Sequence, residues 1–554
     1  MKLHYILALA LLSAALGFGR PAGAAEAHRL AATPPMGWNA WAHYECDFTA
    51  STILANARAL VRSGLAARGY DVVTIDDCWM LKSRDARGNL QADPRRFPDG
   101  MRAVAAAVHA LGLKFGIYED AGYATCGGFA GSGGAQGSGE GHFLADARLF
   151  ASWGVDYLKL DGCNIRTTQG QSKDAAYEAA YRAESSALKR VGRPVVFSES
   201  APAYFQGTPD WYDVLGWVRR YGQLWREGTD IEVYDRKQPK RSRFGSVMWN
   251  YDYNLELARF QKPGNWNDAD FIIGGDSGMT LAEARSQLAL WSMMSAPLIL
   301  SSDLDRLSPA AVAVLGNRAV LSVDQDPLGR MATLLRRSSS MDLLLKPLQS
   351  GDYAVAVLNR SPATLSVEIT PRDLGFAGER CGLEIRELWT GSQQTAAAAL
   401  RARIESHDTE IWRIRPAAGC GEPVRMGAIT RIVPDVPVSR QDAQNYTRCL
   451  AAPGLMRPCE GTAEEMWWII PNGMLRSGQE CLSQIGSRVG MMKCARERSQ
   501  RWSYTLPGNL INRSSHLCLT GPADGRLTVR TCGHNLASQI WSLPTDLTTG
   551  TGRL

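Results

Sequence analysis

Histidine is scarce in this chain: eight residues in 554. None is spaced as H-x-x-x-H, and the cysteines include no C-x-x-C pair. That leaves no nitrogen or sulfur cluster with zinc spacing, so no metal and no cofactor is expected. Excess charge is also lacking. The net charge of +6 is scattered rather than run together, which argues against a nucleic-acid partner. Long apolar runs are missing as well. The one candidate, "ILALALLSAALGF" after Lys2, is too short to serve as a membrane span and leads to small residues at Ala22–Ala24. It reads as a secretory leader over residues 1–24, giving a secreted or periplasmic protein with no membrane association after cleavage. The cysteines number twelve, an even count, and in an exported protein they are read as disulfides.

Such a length is too great for one core. From residue 30 to 326, apolar strand-like segments alternate with helical ones. The strands are read at 36–41, 70–78, 113–120, 155–163, 194–200, 222–230, 265–273 and 296–304. The clearest helices between them are "ILANARALVRSGLAARG", "TLAEARSQLALWSMMS" and "DGMRAVAAAVHALG", the last with an aspartate as N-cap. Eight strand–helix units predict a (β/α)8 TIM barrel. Many strands end in polar groups: Asp76, Asp77, Glu119, Asp120, Asp161, Ser200, Asp230, Asp270 and Asp303. The barrel's active site belongs at those ends.

Residues 327–422 change to alternating segments with turns, predicting an antiparallel β-sandwich domain. Cys381 and Cys420 lie near its ends and are expected to pair. Residues 428–546 hold an internal repeat. "RCLAAPGLMRPC", "ECLSQIGSRVGMMKC" and "LCLTGPADGRLTVRTC" each start with Cys-Leu and end with Cys, and Trp467, Trp502 or Trp541 follows. One disulfide loop is expected in each unit, from Cys449 and Cys459, Cys481 and Cys494, and Cys518 and Cys532. The units resemble the ricin-type β-trefoil lectin module.

The stretch "DYLKLDGC" puts Lys159 and Asp161 on one face of a strand, since side chains two apart point the same way. An ammonium nearby keeps a carboxylate ionised. The pair is therefore either a structural ion pair or an ionised carboxylate fit to attack a sugar carbon. A glycosidase needs a second carboxyl, and "WREGTD" offers Asp230 four residues after Arg226.

"TPPMGWNAW", "IDDCW", "GIYEDAGYATCGGFAGS", "DYLKLDGC", "WNDADF" and "DQDPLG", in this order, resemble the α-galactosidase/α-N-acetylgalactosaminidase family of glycoside hydrolases. The resemblance covers the barrel nearly end to end and the β domain behind it. It implies a retaining enzyme acting on a carbohydrate substrate, with Asp161 as nucleophile and Asp230 as general acid/base. Asp76 and Asp77 would hold the O4 and O6 hydroxyls, and Trp38 would wall one face of the sugar. Tyr118, Lys159, Arg226 and Asp270 would supply further contacts. The family's pairings imply Cys46–Cys78 and Cys126–Cys163. Retention of both Asp76 and Asp77 argues against the family branch that acts on sugars lacking C6.

The loop "SESAPAYFQG" bears on which sugar is cut. In animal members it faces the C2 substituent. A glutamate and a leucine there fit a hydroxyl, whereas serine and alanine leave room for an acetamido group. Aligned on Pro202 and Tyr204, this chain has Ser200 and Ala203, which leans towards N-acetylgalactosaminides, with plain α-galactosides as the alternative. A family disulfide is absent from the same region, its positions held by Glu199 and Gly222, and Ala201 replaces a tryptophan. A non-catalytic sugar-binding protein is a further alternative, but it predicts loss of one catalytic carboxyl, and both are present. In the trefoil, the aspartate that ricin-type sites use after Cys-Leu is replaced by Ala451, Ser483 and Thr520. A structural role and a weak carbohydrate-binding role both stand for it.

Overall fold

The computed structural model describes residues 30–134, 141–378, 381–432 and 447–545; the leader expected over 1–24 lies outside them. Eight parallel strands run in the order β7-β6-β5-β4-β3-β2-β1-β8. They are β1 (Met36–Asn39), β2 (Val72–Ile75), β3 (Lys114–Asp120), β4 (Tyr157–Asp161), β5 (Val196–Glu199), β6 (Leu224–Arg226), β7 (Trp266–Asp268) and β8 (Leu298–Leu300). A parallel bridge between Ile272, just past β7, and Leu300 on β8 completes the ring. This is the expected TIM-type barrel, with helices connecting its parallel strands.

Every strand is shorter than the apolar run that announced it. The cause is visible after β2. Asp76 accepts the backbone N–H of Asp77, and Asp77 accepts that of Cys78. Side chains thus take over the backbone donors and pull the chain out of the ladder. The helix Leu281–Met294 is opened by a capping box of Thr280 and Glu283. The helix Gly100–Ala110 does begin after Asp99, but the Asp99 side chain makes no capping bond, so that expected cap is corrected.

Behind the barrel, a six-stranded antiparallel sheet faces a two-stranded one. Their strands are β9 (Thr333–Arg337), β10 (Met341–Pro347), β11 (Tyr353–Asn359), β12 (Leu365–Ile369), β13 (Leu383–Glu387), β14 (Gln393–Ala397), β15 (Leu400–Ile404) and β16 (Thr409–Pro416). Cys381 pairs with Cys420 beside them. The large sheet meets the barrel through a buried charge network. Arg337 and Arg360 each contact both Asp252 and Asp342 at 2.6–2.8 Å, and Tyr251 donates to Asp342.

The last domain keeps its repeat in three dimensions. Cys449–Cys459, Cys481–Cys494 and Cys518–Cys532 each close one loop. Trp467, Trp502 and Trp541 are buried in a common core, and each indole N–H donates to the carbonyl of the leucine in its own Cys-Leu pair: Leu450, Leu482 and Leu519. This is the ricin-type β-trefoil. It is not hung on a string. Arg337 reaches Thr447, Arg259 donates to the carbonyls of Leu506 and Pro507, and the buried Glu256 carboxylate accepts from Thr430 in the approach to the trefoil. Among the described residues no helix is long and apolar enough to cross a membrane.

Candidate active site

Polar side chains at the C-terminal ends of the strands converge on one pocket floor. Asp161 ends β4. It accepts from the hydroxyl of Tyr204 at 2.5 Å, from that of Tyr118 at 3.2 Å and from its neighbour's amide, Gly162 N–H, at 2.9 Å. Burial raises its carboxyl above the ordinary range, while Lys159 and the Tyr204 hydroxyl draw it back down.

Lys159 itself does not pair with Asp161. Its Nζ donates to Asp76 on the far side of β3, at 2.8 Å. Burial works against the ammonium, but the carboxylates of Asp76 and Asp161 outweigh it and hold Lys159 above its usual value. The same-strand pair in the sequence is thus a relay: Lys159 is fixed by Asp76 and lends its field to Asp161.

Asp76 also accepts from Asn39 on β1 at 2.7 Å. Asp77 accepts the N–H of Gly127 in the loop after β3, at 2.8 Å. Both carboxylates are buried and oriented before any sugar arrives, and each has lone pairs left for hydroxyls. Trp38 lies fully buried beneath them, its indole tied to Ser302. The Cys46–Cys78 and Cys126–Cys163 disulfides both form. The first closes the turn after Asp77, and the second holds the loop after β3 against the end of β4.

On the opposite wall the Arg226 guanidinium bridges two carboxylates, Asp230 and Asp270, each at 3.0 Å. Asp270 sits at φ 73°, a left-handed conformation that costs a non-glycine residue energy. Asp268 accepts its N–H at 2.9 Å, and Asp270 in turn accepts the Ile231 N–H at 2.6 Å. Burial pushes the Asp270 carboxyl up to about 7 against the pull of Arg226. Asp230, by contrast, leaves its side chain 65% exposed at the mouth of the site. The arrangement places one carboxylate at the floor and one, largely exposed, at the rim.

The loop after β5 forms a short 3-10 helix, Ala201–Phe205. Ser200 is buried at its start, Ala203 is half-buried, and Tyr204 turns to Asp161. Glu199 and Gly222 are neighbours: a Cβ on Gly222 would lie 2.4 Å from the Glu199 carboxylate. The paired loss of two cysteines is therefore a volume exchange, a long side chain taking the space beside a glycine. Burial holds the Glu199 carboxyl well above the usual range, so it is kept neutral.

Two residues on the expected rim serve otherwise. Glu119 points to the Arg84 and Asp146 side, away from Asp120, as strand alternation demands. Asp120 is buried and braces the loops by accepting from Gly122 and Cys163. Asn39 and Gln206 were not picked out from the sequence. Gln206 holds both the N–H and hydroxyl of Thr229, tying the β5 loop to the segment that carries Asp230. A polar residue inside the apolar "MGWNAW" was the signal for Asn39; nothing local marks Gln206.

One outcome follows directly. Tyr204→Phe removes a donor to the ionised Asp161, so the carboxyl titrates at higher pH. With Asp161 as the nucleophile that the resemblance implies, the acid limb of kcat/KM against pH is expected to move upward. An unmoved limb would show that the hydroxyl does not act on Asp161.

A profile of the family described as Alpha galactosidase A matches residues 33–326. The alpha galactosidase C-terminal beta sandwich domain matches 338–414, and the ricin-type beta-trefoil lectin domain matches 442–541. Alpha-galactosidase A of Aspergillus niger is 37% identical over 533 residues, covering 95% of this chain and 94% of that protein. Alpha-galactosidase A of Cellvibrio japonicus is 34% identical, covering 75% of this chain and all of that one. The crystal structure of alpha-galactosidase I from Mortierella vinacea superposes with a TM-score of 0.61 at 29% identity, over 71% of this chain and 99% of that one.

Proposed function

Since this chain belongs to the α-galactosidase family of glycoside hydrolases, family 27, we propose that it is a retaining exo-enzyme removing terminal α-D-galactosyl residues. The observation that carries this reading is the carboxyl pair: Asp161 at the pocket floor with two hydroxyl donors, and Asp230 at the rim on Arg226.

In this reading Asp161 attacks C1 and forms a glycosyl ester, while Asp230 gives its proton to the departing oxygen. Asp230 then takes a proton from the water that cleaves the ester, and the anomeric configuration is restored. Arg226 holds the Asp230 carboxylate in place between the two transfers, while it is the anion that acts as base on the water. Asp76 and Asp77, held rigid by Asn39, Lys159 and Gly127, would read the ring hydroxyls. Such a buried acceptor discriminates strongly, because a sugar that fails to satisfy it leaves it unpaired.

A second reading concerns C2. Ser200 and Ala203 are small and sit on the loop whose Tyr204 touches Asp161, which supports acceptance of a 2-acetamido sugar. The relatives' names support the plain galactoside. Measuring kcat/KM for the nitrophenyl α-galactoside and α-N-acetylgalactosaminide on one preparation separates them. The galactoside is expected to win. An acetamido preference of about tenfold or more would mean the loop, not the overall kinship, sets the sugar. Turnover of neither would overturn the proposed activity.

The trefoil has little left for lectin work at the ricin-type positions. Ala451 and Ser483 are fully buried, and Ser483 and Thr520 accept hydrogen bonds from Gln500 and Gln539 inside their own repeats. We assign it a structural role.

A further inference from the structure

Gln206 closes the 3-10 helix that carries Tyr204. Its Oε1 accepts the Thr229 N–H at 2.9 Å and the Thr229 hydroxyl at 2.7 Å. A backbone N–H can only donate, so the oxygen end of the Gln206 amide must face Thr229. Its Nε2 is then buried, with no hydrogen-bond partner among the described residues. The side chain is held by its oxygen alone.

The approach is close. A Cβ on Gly228 would lie 2.3 Å from Gln206 Nε2 and 2.7 Å from its Oε1. Gly228 is not among the residues with positive φ, so glycine serves here to admit the amide and not to free the backbone. On the same turn, the Gly228 carbonyl accepts from Arg226 Nη2 at 3.1 Å, and that nitrogen also donates to Asp230 at 3.0 Å. The chain from Arg226 to Asp230 is thus gripped by its own arginine and, one residue before Asp230, by Gln206. With its side chain 65% exposed, Asp230 depends for its placement on the backbone beneath it.

Two residues before Gln206, the Tyr204 hydroxyl donates to Asp161 at 2.5 Å, and the Tyr204 carbonyl is held by Lys173 Nζ at 2.7 Å. One short stretch of chain therefore touches the floor carboxylate with one side chain and the neighbour of the rim carboxyl with another. Retention depends on the separation of those two groups. We infer that Gln206 is a positioning residue for proton transfer: through Thr229 it sets where the Asp230 carboxyl stands relative to the glycosidic oxygen. This inference rests on the proposed α-galactosidase activity with Asp230 as its acid/base, and adds the group that aims the acid. Misplacing a catalytic group by about 1 Å costs up to about 10²-fold in rate.

Leaving groups separate this role from simple bracing. A phenolate needs the proton as the C1–O bond breaks, whereas a dinitrophenolate departs without it. The test uses the full-length protein and kcat/KM for phenyl and dinitrophenyl α-galactosides. Gln206→Met keeps volume beside Gly228 and deletes the acceptor. It should lower kcat/KM for the phenyl substrate by on the order of tenfold more than for the dinitrophenyl one. Thr229→Val removes the hydroxyl and keeps the N–H, so it should act in the same sense but less, and Thr229→Ser should recover most of that loss. Each readout is a ratio within one preparation, so a reduced folded fraction cancels. Asp230→Ala is the reference, with a selective loss of about 10²-fold or more. If it shows that loss while Gln206→Met lowers both substrates alike, or neither, Gln206 is only a brace and the inference is overturned. If Asp230→Ala falls equally on both substrates, the acid/base assignment fails and this inference with it. If the wild type hydrolyses neither, the proposed activity falls as well.

Discussion

Asp161→Ala is expected to lower kcat on the nitrophenyl α-galactoside by on the order of 10⁴-fold or more, the scale of losing a covalent nucleophile. The fold should survive. Asp161 is half-buried at a strand end, and its closest partner, the Tyr204 hydroxyl, belongs to a half-buried side chain that can turn to water. Its removal also lifts a negative charge from the neighbourhood of Asp120. Added azide should restore part of the turnover and give a galactosyl azide of the opposite anomeric configuration to the substrate, since a small anion can enter the space of the lost carboxylate. A variant that retains wild-type kcat would remove Asp161 from the mechanism. A variant that is inactive but unfolded by circular dichroism would not test it, so the spectrum belongs with the assay.

The second large effect is on stability. Asp342→Ala should destabilise the protein by about 3–5 kcal/mol, measured as a fall in urea midpoint with the same denaturant slope. Asp342 is fully buried between Arg337 and Arg360, and its carboxyl is held below the ordinary range: burial opposes ionisation, but the two guanidinium groups outweigh it. Removing it takes one of the two carboxylates from between Arg337 and Arg360 and leaves Asp252 facing both in a buried interface. The paired arginines then repel, and the Tyr251 hydroxyl loses its acceptor. A loss under 1 kcal/mol would mean that water enters and the interface is looser than its geometry. The pH dependence has a definite sign. With the folded carboxyl depressed, Asp342 contributes stability above its unfolded value near 4, and that contribution is lost as pH falls through the folded one.

The sequence placed the two candidate carboxyls in the right part of the fold: Asp161 closes β4, and Asp230 follows β6 by four residues, in the loop on the side where a barrel's site lies. It carried their partners poorly. Strand periodicity places Lys159 and Asp161 on one face, but says nothing of Asp76, two strands away, which takes the lysine. Asp120 and Glu119 look alike in "IYED"; alternation sends one towards the site as a brace and the other towards the helices. The exchange of two cysteines for Glu199 and Gly222 was visible as a coincidence, while its meaning as a filled volume needed coordinates. The tie from Gln206 to Thr229 was invisible for a simpler reason: it joins the loops after two different strands, β5 and β6. The trefoil repeat, in contrast, was plain because each unit repeats its own internal contacts: a cysteine pair, and a tryptophan bonded to its own leucine carbonyl.

The seams that join the trefoil to the rest have a bearing on how the enzyme searches. A sugar-binding module on a loose linker raises the local concentration of substrate by letting a catalytic domain sweep the volume around one anchor point. Here the trefoil side is bolted down by Thr430 on Glu256, Thr447 on Arg337 and the carbonyls of Leu506 and Pro507 on Arg259. The swept volume is therefore nearly nil. The trefoil therefore stands at a set distance and bearing from Asp161, a fixed part of the body that carries the site rather than a leash.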